Sequence, residues 1–308
     1  MPRARLKNPP ELTERLRGLA VAAPAVGFLS SSLLAFNAAQ IASLAVMPVS
    51  RHAFRKFNRW AADVWWGWCV TGAKTLYGTN IVLTGDELPP RENAVVVANH
   101  QQMPDITFLM FLARAKGRLG DMKWLVKDPI KYVPGVGWGM WFIDCVFLKR
   151  NWAEDKESID QTFARIMRDR VPLWLMSFPE GTRFTEAKAE KSRAHAAKIG
   201  LPPLRHLLLP RTKGFAASVQ GLRGHLGAVY DITIGYEDGV PTLSQYVRGF
   251  VRQAHLHVRR YPAAELPTGT DELSAWLHER YREKDELLEH FFREKRFPAQ
   301  APTRRPSP

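Results

Sequence analysis

Residues 18–50 carry no charge, and from residue 81 onward short apolar runs alternate with stretches of helical period. As a helix rising ~1.5 Å per residue, the uncharged stretch exceeds a ~30 Å hydrocarbon core. Pro24, Ser30-Ser31-Ser32, Asn37 and Gln40 interrupt it, which predicts a bent or re-entrant membrane element. A plain single crossing and a buried soluble helix are the other readings. A cleaved signal peptide is disfavoured because the run is too long.

Arg51–Tyr77 interleaves Phe54, Phe57, Trp60, Trp65, Trp66 and Trp68 with basic residues. Trp beside Arg predicts a helix lying at headgroup level, against the alternative of a Trp-rich core helix. Farther on, residues 81–84, 94–98, 146–148, 173–177, 207–209 and 229–234 read as buried strands. Residues 105–115, 155–170 and 212–221 read as helices between them, the middle one with the apolar face Ile159, Phe163, Ile166 and Met167. Alternation of this kind predicts an α/β fold, a mixed sheet flanked by helices, with sites at the carboxyl ends of the strands.

The polar stretch 185–203 reads as an exposed helix or flap near the site, 271–296 as a long amphipathic helix, and the Pro-rich 297–308 as a disordered tail. The expected organisation is a membrane anchor with an interfacial helix (1–80), a catalytic domain (81–240), a strand and helix extension (241–296) and the tail (297–308).

Charge adds a partner class. The chain carries a formal +14, which draws it to anionic surfaces, whether membrane, nucleic acid or an acidic carrier. Arg3, Arg5, Lys7, Arg15 and Arg17 precede the uncharged run, and Arg51, Arg55, Lys56 and Arg59 follow it. Basic flanks at both ends predict that both face the cytoplasm. Cys69 and Cys145 have no pairing spacing, so neither a disulfide frame nor a metal site is expected.

Two loops carry candidate chemistry. His100 follows the apolar run 94–98 and lies five residues before Asp105. A histidine takes a proton from an alcohol near neutrality, and a carboxylate on its other nitrogen fixes the tautomer and stabilises the imidazolium. Asp105 also reads as an N-cap of the helix it opens. The second loop is Phe178-Pro179-Glu180-Gly181-Thr182-Arg183. Glycine permits close backbone approach, arginine forks a phosphate and threonine adds a hydroxyl, while Glu180 holds Arg183 or bonds a ligand hydroxyl. A capped turn with a surface ion pair is the plain alternative. No nucleophile elbow is present, so the substrate itself supplies the nucleophile.

These loops bring out a resemblance to the glycerolipid acyltransferases, which include the lysophosphatidic acid acyltransferases. Four blocks carry it in order: Asn99-His100 with Asp105; Pro134 and Gly137 leading to Phe147-Leu148-Lys149-Arg150-Asn151; Phe178 to Arg183; and Leu207-Leu208-Leu209-Pro210-Arg211-Thr212-Lys213-Gly214-Phe215. The resemblance implies His100 as general base with Asp105 as its partner. It implies Arg150, Glu180, Gly181, Thr182 and Arg183 around the phosphate and glycerol of the acceptor, and Pro210, Lys213 and Gly214 on the acyl-donor side. It also implies a fatty acyl group passing from acyl-CoA or acyl carrier protein to the free sn-2 hydroxyl of a lysophospholipid, giving phosphatidic acid from lysophosphatidic acid, with no metal or other cofactor. The expected setting is a phospholipid membrane, with the catalytic domain facing the cytoplasm.

Three departures bear on the acceptor. Lys149 stands where the common lysophosphatidic acid enzymes carry Asp, Asp144 where a small residue is usual, and a basic insert, 188–204, separates the last two blocks. The C-terminal part resembles the lysocardiolipin and lysophosphatidylinositol acyltransferases, which leaves other lysophospholipids open as acceptors. A non-catalytic protein binding anionic lipid or nucleic acid would explain the charge but needs neither His100 beside Asp105 nor four ordered blocks. A lipid hydrolase lacks its nucleophile.

Overall fold

The computed structural model describes residues 4–149 and 151–298. In chain order the elements are α1 (Leu12–Ala42), α2 (Arg51–Tyr77), β1 (Asn80–Gly85), β2 (Ala94–Ala98), α3 (Pro104–Ala115), β3 (Met122–Lys127), α4 (Val136–Phe142) and β4 (Val146–Leu148). They continue with α5 (Trp152–Arg168), β5 (Trp174–Ser177), α6 (Glu186–Lys198), α7 (Thr212–Leu222), β6 (Ala228–Gly235), α8 (Leu243–Val247), β7 (Gln253–Pro262) and α9 (Thr270–Glu294). Among the described residues the strands form one mixed sheet in the order β1-β7-β6-β2-β5-β3-β4. From β6 to β4 the strands run parallel; β7 runs antiparallel to β6 and parallel to β1.

The central strand β2 shows why this is a sandwich. All five of its residues are buried. Ala94, Val96 and Ala98 face the core shared with α2 and α3, whereas Val95 and Val97 face the core built by α5, α7 and α9. A strand covered on both faces needs continuous apolar sequence, which the Val triplet supplies.

Three expectations are corrected here. Residues 207–209 are not a strand. Their amides are met by side chains: Leu208 N–H donates to Glu180 Oε2 (3.1 Å) and Leu209 N–H to Ser192 Oγ (2.7 Å), so no ladder is needed. Two strands escaped the sequence pattern. In β3 the buried Lys123 interrupts the apolar run, its amine donating to the Ile143 carbonyl (3.0 Å). In β7, His255, His257 and Arg259 alternate with Ala254, Leu256 and Val258, yet both faces are buried. Because β7 sits between β1 and β6, the boundary expected at 240 does not divide the sheet.

The third correction concerns the N-terminal element. It is not broken at Pro24 or Ser30; α1 runs unbroken to Ala42 with Pro24 inside it. The reversal comes at residues 43–50, where a short 3-10 turn leads to the Ser50 cap of α2, whose hydroxyl accepts from Ala53 N–H. The pair forms a helical hairpin with Trp65 Nε1 donating to the Leu29 carbonyl (3.2 Å). This hairpin lies along the sheet's helical layer. Gly18 packs against Arg248 and Phe250, where a Cβ would stand 2.8 Å from the Arg248 carbonyl oxygen, while Leu33 meets Gly135 near the other end. Ahead of α1, Leu6 N–H donates to the Val240 carbonyl (3.1 Å). The α1 helix is long and apolar enough to cross a membrane, and its outer face exposes Leu12, Leu16, Leu19, Phe28 and Leu34.

Candidate active site

The carboxyl ends of β2, β5 and β3 bring the two key loops together. After β2, Asn99 zips the loop to β6: its Nδ2 donates to the Ile234 carbonyl (3.1 Å) and its Oδ1 accepts Ile234 N–H (2.7 Å). One side-chain amide thus extends the β2–β6 ladder by a rung and aims the next residue. His100 points from this rung with Nδ1 2.9 Å from Asp105 Oδ2. Its ring stacks on Phe178, centroids 4.1 Å apart.

Asp105 is fully buried and richly solvated by protein donors. Its Oδ2 accepts Gln101 N–H (2.6 Å) and Gln102 N–H (2.8 Å) besides the histidine, and its Oδ1 accepts the Tyr236 hydroxyl (2.6 Å). Its Oδ2 therefore holds the turn that carries His100; the expected N-cap role is not met, because Asp105 lies within the first turn of α3, whose N-cap is Met103 with no side-chain cap. Burial and the Asp105 carboxylate push the Tyr236 phenol well above its ordinary pKa, so it stays a donor.

The Phe178–Arg183 loop closes over this dyad. Gly181 takes φ +66, which only glycine adopts without strain, and its N–H donates to the Phe178 carbonyl (2.8 Å). A Cβ there would meet the Arg211 guanidinium at 3.2 Å. Phe184 N–H then donates to the His100 carbonyl (2.9 Å), joining the two loops. The glycine of the second block also has a steric reason: a Cβ on Gly137 would stand 1.9 Å from the Ile130 carbonyl oxygen.

Glu180 is placed differently from expectation. Its carboxylate is buried, with Oε1 accepting His100 N–H (2.8 Å) and Oε2 accepting Leu208 N–H. It staples the first and fourth blocks together and lines neither of the two cavities at this loop. Arg183 is exposed beside the dyad, with Nη1 donating to Gln102 Oε1 (3.2 Å). Thr182 Oγ1 accepts Lys188 Nζ (2.8 Å), which brings a cation of the insert to the loop. The expected Arg150 lies outside the described residues.

Two cavities meet at this loop. One, of about 550 Å3, is walled by Leu33 and Phe36 of α1, Trp65 and Trp66 of α2, and Met140 of α4, with His100, Lys127, Gly181, Thr182 and Arg183 at its polar mouth. The other, of about 620 Å3, lies beyond Phe178 and Gly181 and takes in Pro210, Lys213 and Gly214, together with Lys127, Arg211, His195 and His278. Sequence reasoning missed Lys127 and Arg211. Arg211 stood beside Pro210 in the fourth block, whereas Lys127 ends a strand that the pattern did not reveal. The first cavity, which His100 lines, suits an alkyl chain and the second an anionic polar group; Lys127, Phe178 and Gly181 line both.

Comparison with known proteins decides the family. Residues 80–237 match the Acyltransferase family model, and residues 245–308 match the family described as Acyltransferase C-terminus. The chain belongs to the acyltransferase family. Its relatives include the 1-acyl-sn-glycerol-3-phosphate acyltransferase gamma of Homo sapiens, 36% identical over 91% of this chain and 77% of that protein. The delta enzyme of Homo sapiens is 36% identical over 91% and 75%, and 1-acyl-sn-glycerol-3-phosphate acyltransferase 2 of Brassica napus is 34% identical over 89% and 72%. In fold the acyltransferase resembles the crystal structure of the 1-acyl-sn-glycerophosphate acyltransferase PlsC from Thermotoga maritima. The TM-score is 0.54 at 18% identity, over 90% of this chain and 98% of that one.

Proposed function

We propose that this acyltransferase esterifies the free sn-2 hydroxyl of lysophosphatidic acid with a fatty acyl group from a thioester, giving phosphatidic acid. The observation that carries the reading is His100, paired with buried Asp105, at the mouth of an apolar cavity rimmed by Lys127 and Arg183. His100 Nε2 takes the hydroxyl proton as oxygen attacks the thioester carbonyl. The tetrahedral intermediate then collapses, and the proton returns from the imidazolium to the departing thiolate. Arg183 and Lys127 hold the acceptor phosphate, and the apolar cavity takes an acyl chain. Pro210, Lys213 and Gly214, with Arg211, line the side from which acyl-CoA or acyl carrier protein presents its thioester. His100, the acceptor and the thioester supply every atom of this scheme. The similarity to enzymes named for 1-acylglycerol 3-phosphate favours that acceptor over other lysophospholipids.

The same reading places the protein on a membrane surface without crossing it. Gly18 and Leu33 of α1 both rest on the catalytic domain and residue 6 is paired to residue 240, which favours an α1 lying on the surface over one that crosses. Its outer apolar face continues through Trp60 and Trp68 of α2 to Trp138 and Trp141 of α4, all exposed. Such an exposed apolar surface sinks to headgroup depth and sets the cavity mouth level with lipid.

The test is a panel of lysophospholipids offered to purified protein with acyl-CoA and acyl carrier protein, read by mass spectrometry. Lysophosphatidic acid should give a diacyl product that requires both substrates. A product from another lysolipid alone would move the acceptor, and hydrolysis without transfer would end the reading.

A further inference from the structure

Besides two backbone amides, Asp105 is shared by two side chains, 131 and 5 residues away in the chain: Tyr236 on Oδ1 and His100 on Oδ2. The phenol follows β6, directly after the Ile234-Gly235 end that Asn99 grips. It is held there by Phe108, whose ring meets its edge at 5.7 Å, inside a core that excludes water from both the phenol and the carboxylate. A histidine–carboxylate pair needs only one carboxylate oxygen. Here a buried hydroxyl is dedicated to the other.

We infer that Tyr236 is a positioning residue for the acyl transfer reaction, tuning the basicity of His100 through Asp105. Its O–H withdraws negative charge from the carboxylate and so weakens the hold of Asp105 on the imidazolium. The hydroxyl also stops the carboxylate from rotating, so Oδ2 stays on Nδ1 and Nε2 stays aimed at the cavity. The inference rests on His100 being the base.

The other charged or titratable groups near the pair are known. Glu180 reaches the His100 amide from the loop after β5, and Arg183 and Lys127 rim the cavity. Tyr246 of α8 lies behind Phe108, and Tyr281 of α9 donates to the Ala98 carbonyl (3.4 Å). None of them bonds Asp105 Oδ1 in the place of Tyr236. A change at Tyr236 alone therefore reads out this one contact.

The experiment is the pH dependence of kcat/KM for full-length protein in phospholipid vesicles, with lysophosphatidic acid and acyl-CoA. Wild type is compared with Tyr236→Phe and with protein carrying 3-fluorotyrosine at position 236 by site-specific incorporation. The Phe variant should move the acidic limb to higher pH by about half a unit to one unit, losing ~3–10-fold on that limb and much less above neutrality. The fluorinated phenol, a stronger donor of the same shape, should move the limb the other way. If Tyr236→Phe does not fold, the fluorotyrosine protein still decides. Superimposed limbs, or the same direction in both variants, would overturn the inference. A wild-type limb that persists in His100→Ala would instead fault the base itself, so the two failures are distinct.

Discussion

Glu180 Oε1 accepts the backbone N–H of His100 at 2.8 Å, so the glutamate of one block holds the histidine of another by its main chain. Its second oxygen holds Leu208 N–H, and the residue is buried. The consequence is that Glu180 serves geometry.

Glu180→Gln should therefore act mainly on stability. The new amide turns one oxygen into a donor facing an N–H, leaving a buried amide unmet, at a cost of about 1–3 kcal/mol. Thermal unfolding should show a midpoint lower by several degrees. The KM for lysolipid should change little while kcat falls with the loosened His100. A large rise in lysolipid KM at unchanged midpoint would return Glu180 to the acceptor site.

Arg183→Ala should weaken acceptor binding. A guanidinium facing a phosphate contributes on the order of 2–5 kcal/mol when its loss leaves the partner without a counter-charge, and the exposure of Arg183 puts the expectation at the low end. Steady-state kinetics should show KM for lysolipid rising at least tenfold and KM for the thioester nearly unchanged. The reverse pattern would exchange the roles of the two cavities.

Gly139 lines the apolar cavity, and a Cβ there would stand 3.5 Å from Asn37 Nδ2 and 3.7 Å from Gln40 Oε1. Gly139→Leu should fill that end and shift preference toward shorter acyl chains. Each methylene displaced from apolar contact is worth about 0.8 kcal/mol, so two or three should reverse a preference for long chains. Competition between acyl-CoA lengths reads the outcome. An unchanged length profile in folded protein would mean that the acyl chain lies elsewhere.

Topology has its own test. Single cysteines near Arg5 and near Arg114, placed in a protein lacking Cys69 and Cys145, should label from the same side of sealed membranes. Arg114 Nη1 bonds the Gly67 carbonyl (3.1 Å), and residue 6 is bonded to Val240, so both sites travel with the catalytic domain. Labelling from opposite sides would show that α1 crosses.

Much of this was legible in one sequence because it depends on local rules. The Val triplet of β2, the run of α2 from Arg51 to Tyr77 and the glycine at 181 follow from residue type and period. His100 and Asp105 lie within one turn of each other, so their pairing was readable too. What was hidden depends on contacts across the chain. The strand β3 hides behind Lys123, whose amine is satisfied twenty residues away, and β7 behind His255 and His257, which Phe291 of α9 and Phe297 just after it cover. Leu207-Leu208-Leu209 looked like a strand because it is buried, but Glu180 and Ser192 meet its amides. Likewise, nothing in the spacing of Glu180 tells a staple from a ligand, and Tyr236 is 131 residues from the carboxylate it serves.

The most direct measurement of the central claim is acyl transfer from labelled acyl-CoA to lysophosphatidic acid by wild type, Asp105→Asn and His100→Ala, each shown to be folded by its thermal transition. With His100 as the base, the alanine variant should lose about 10²–10⁴-fold in kcat at near-normal KM for both substrates. Asp105→Asn should lose less, because the imidazole remains although its tautomer and charge partner are disturbed. Turnover within a few-fold of wild type by folded His100→Ala protein would contradict the account.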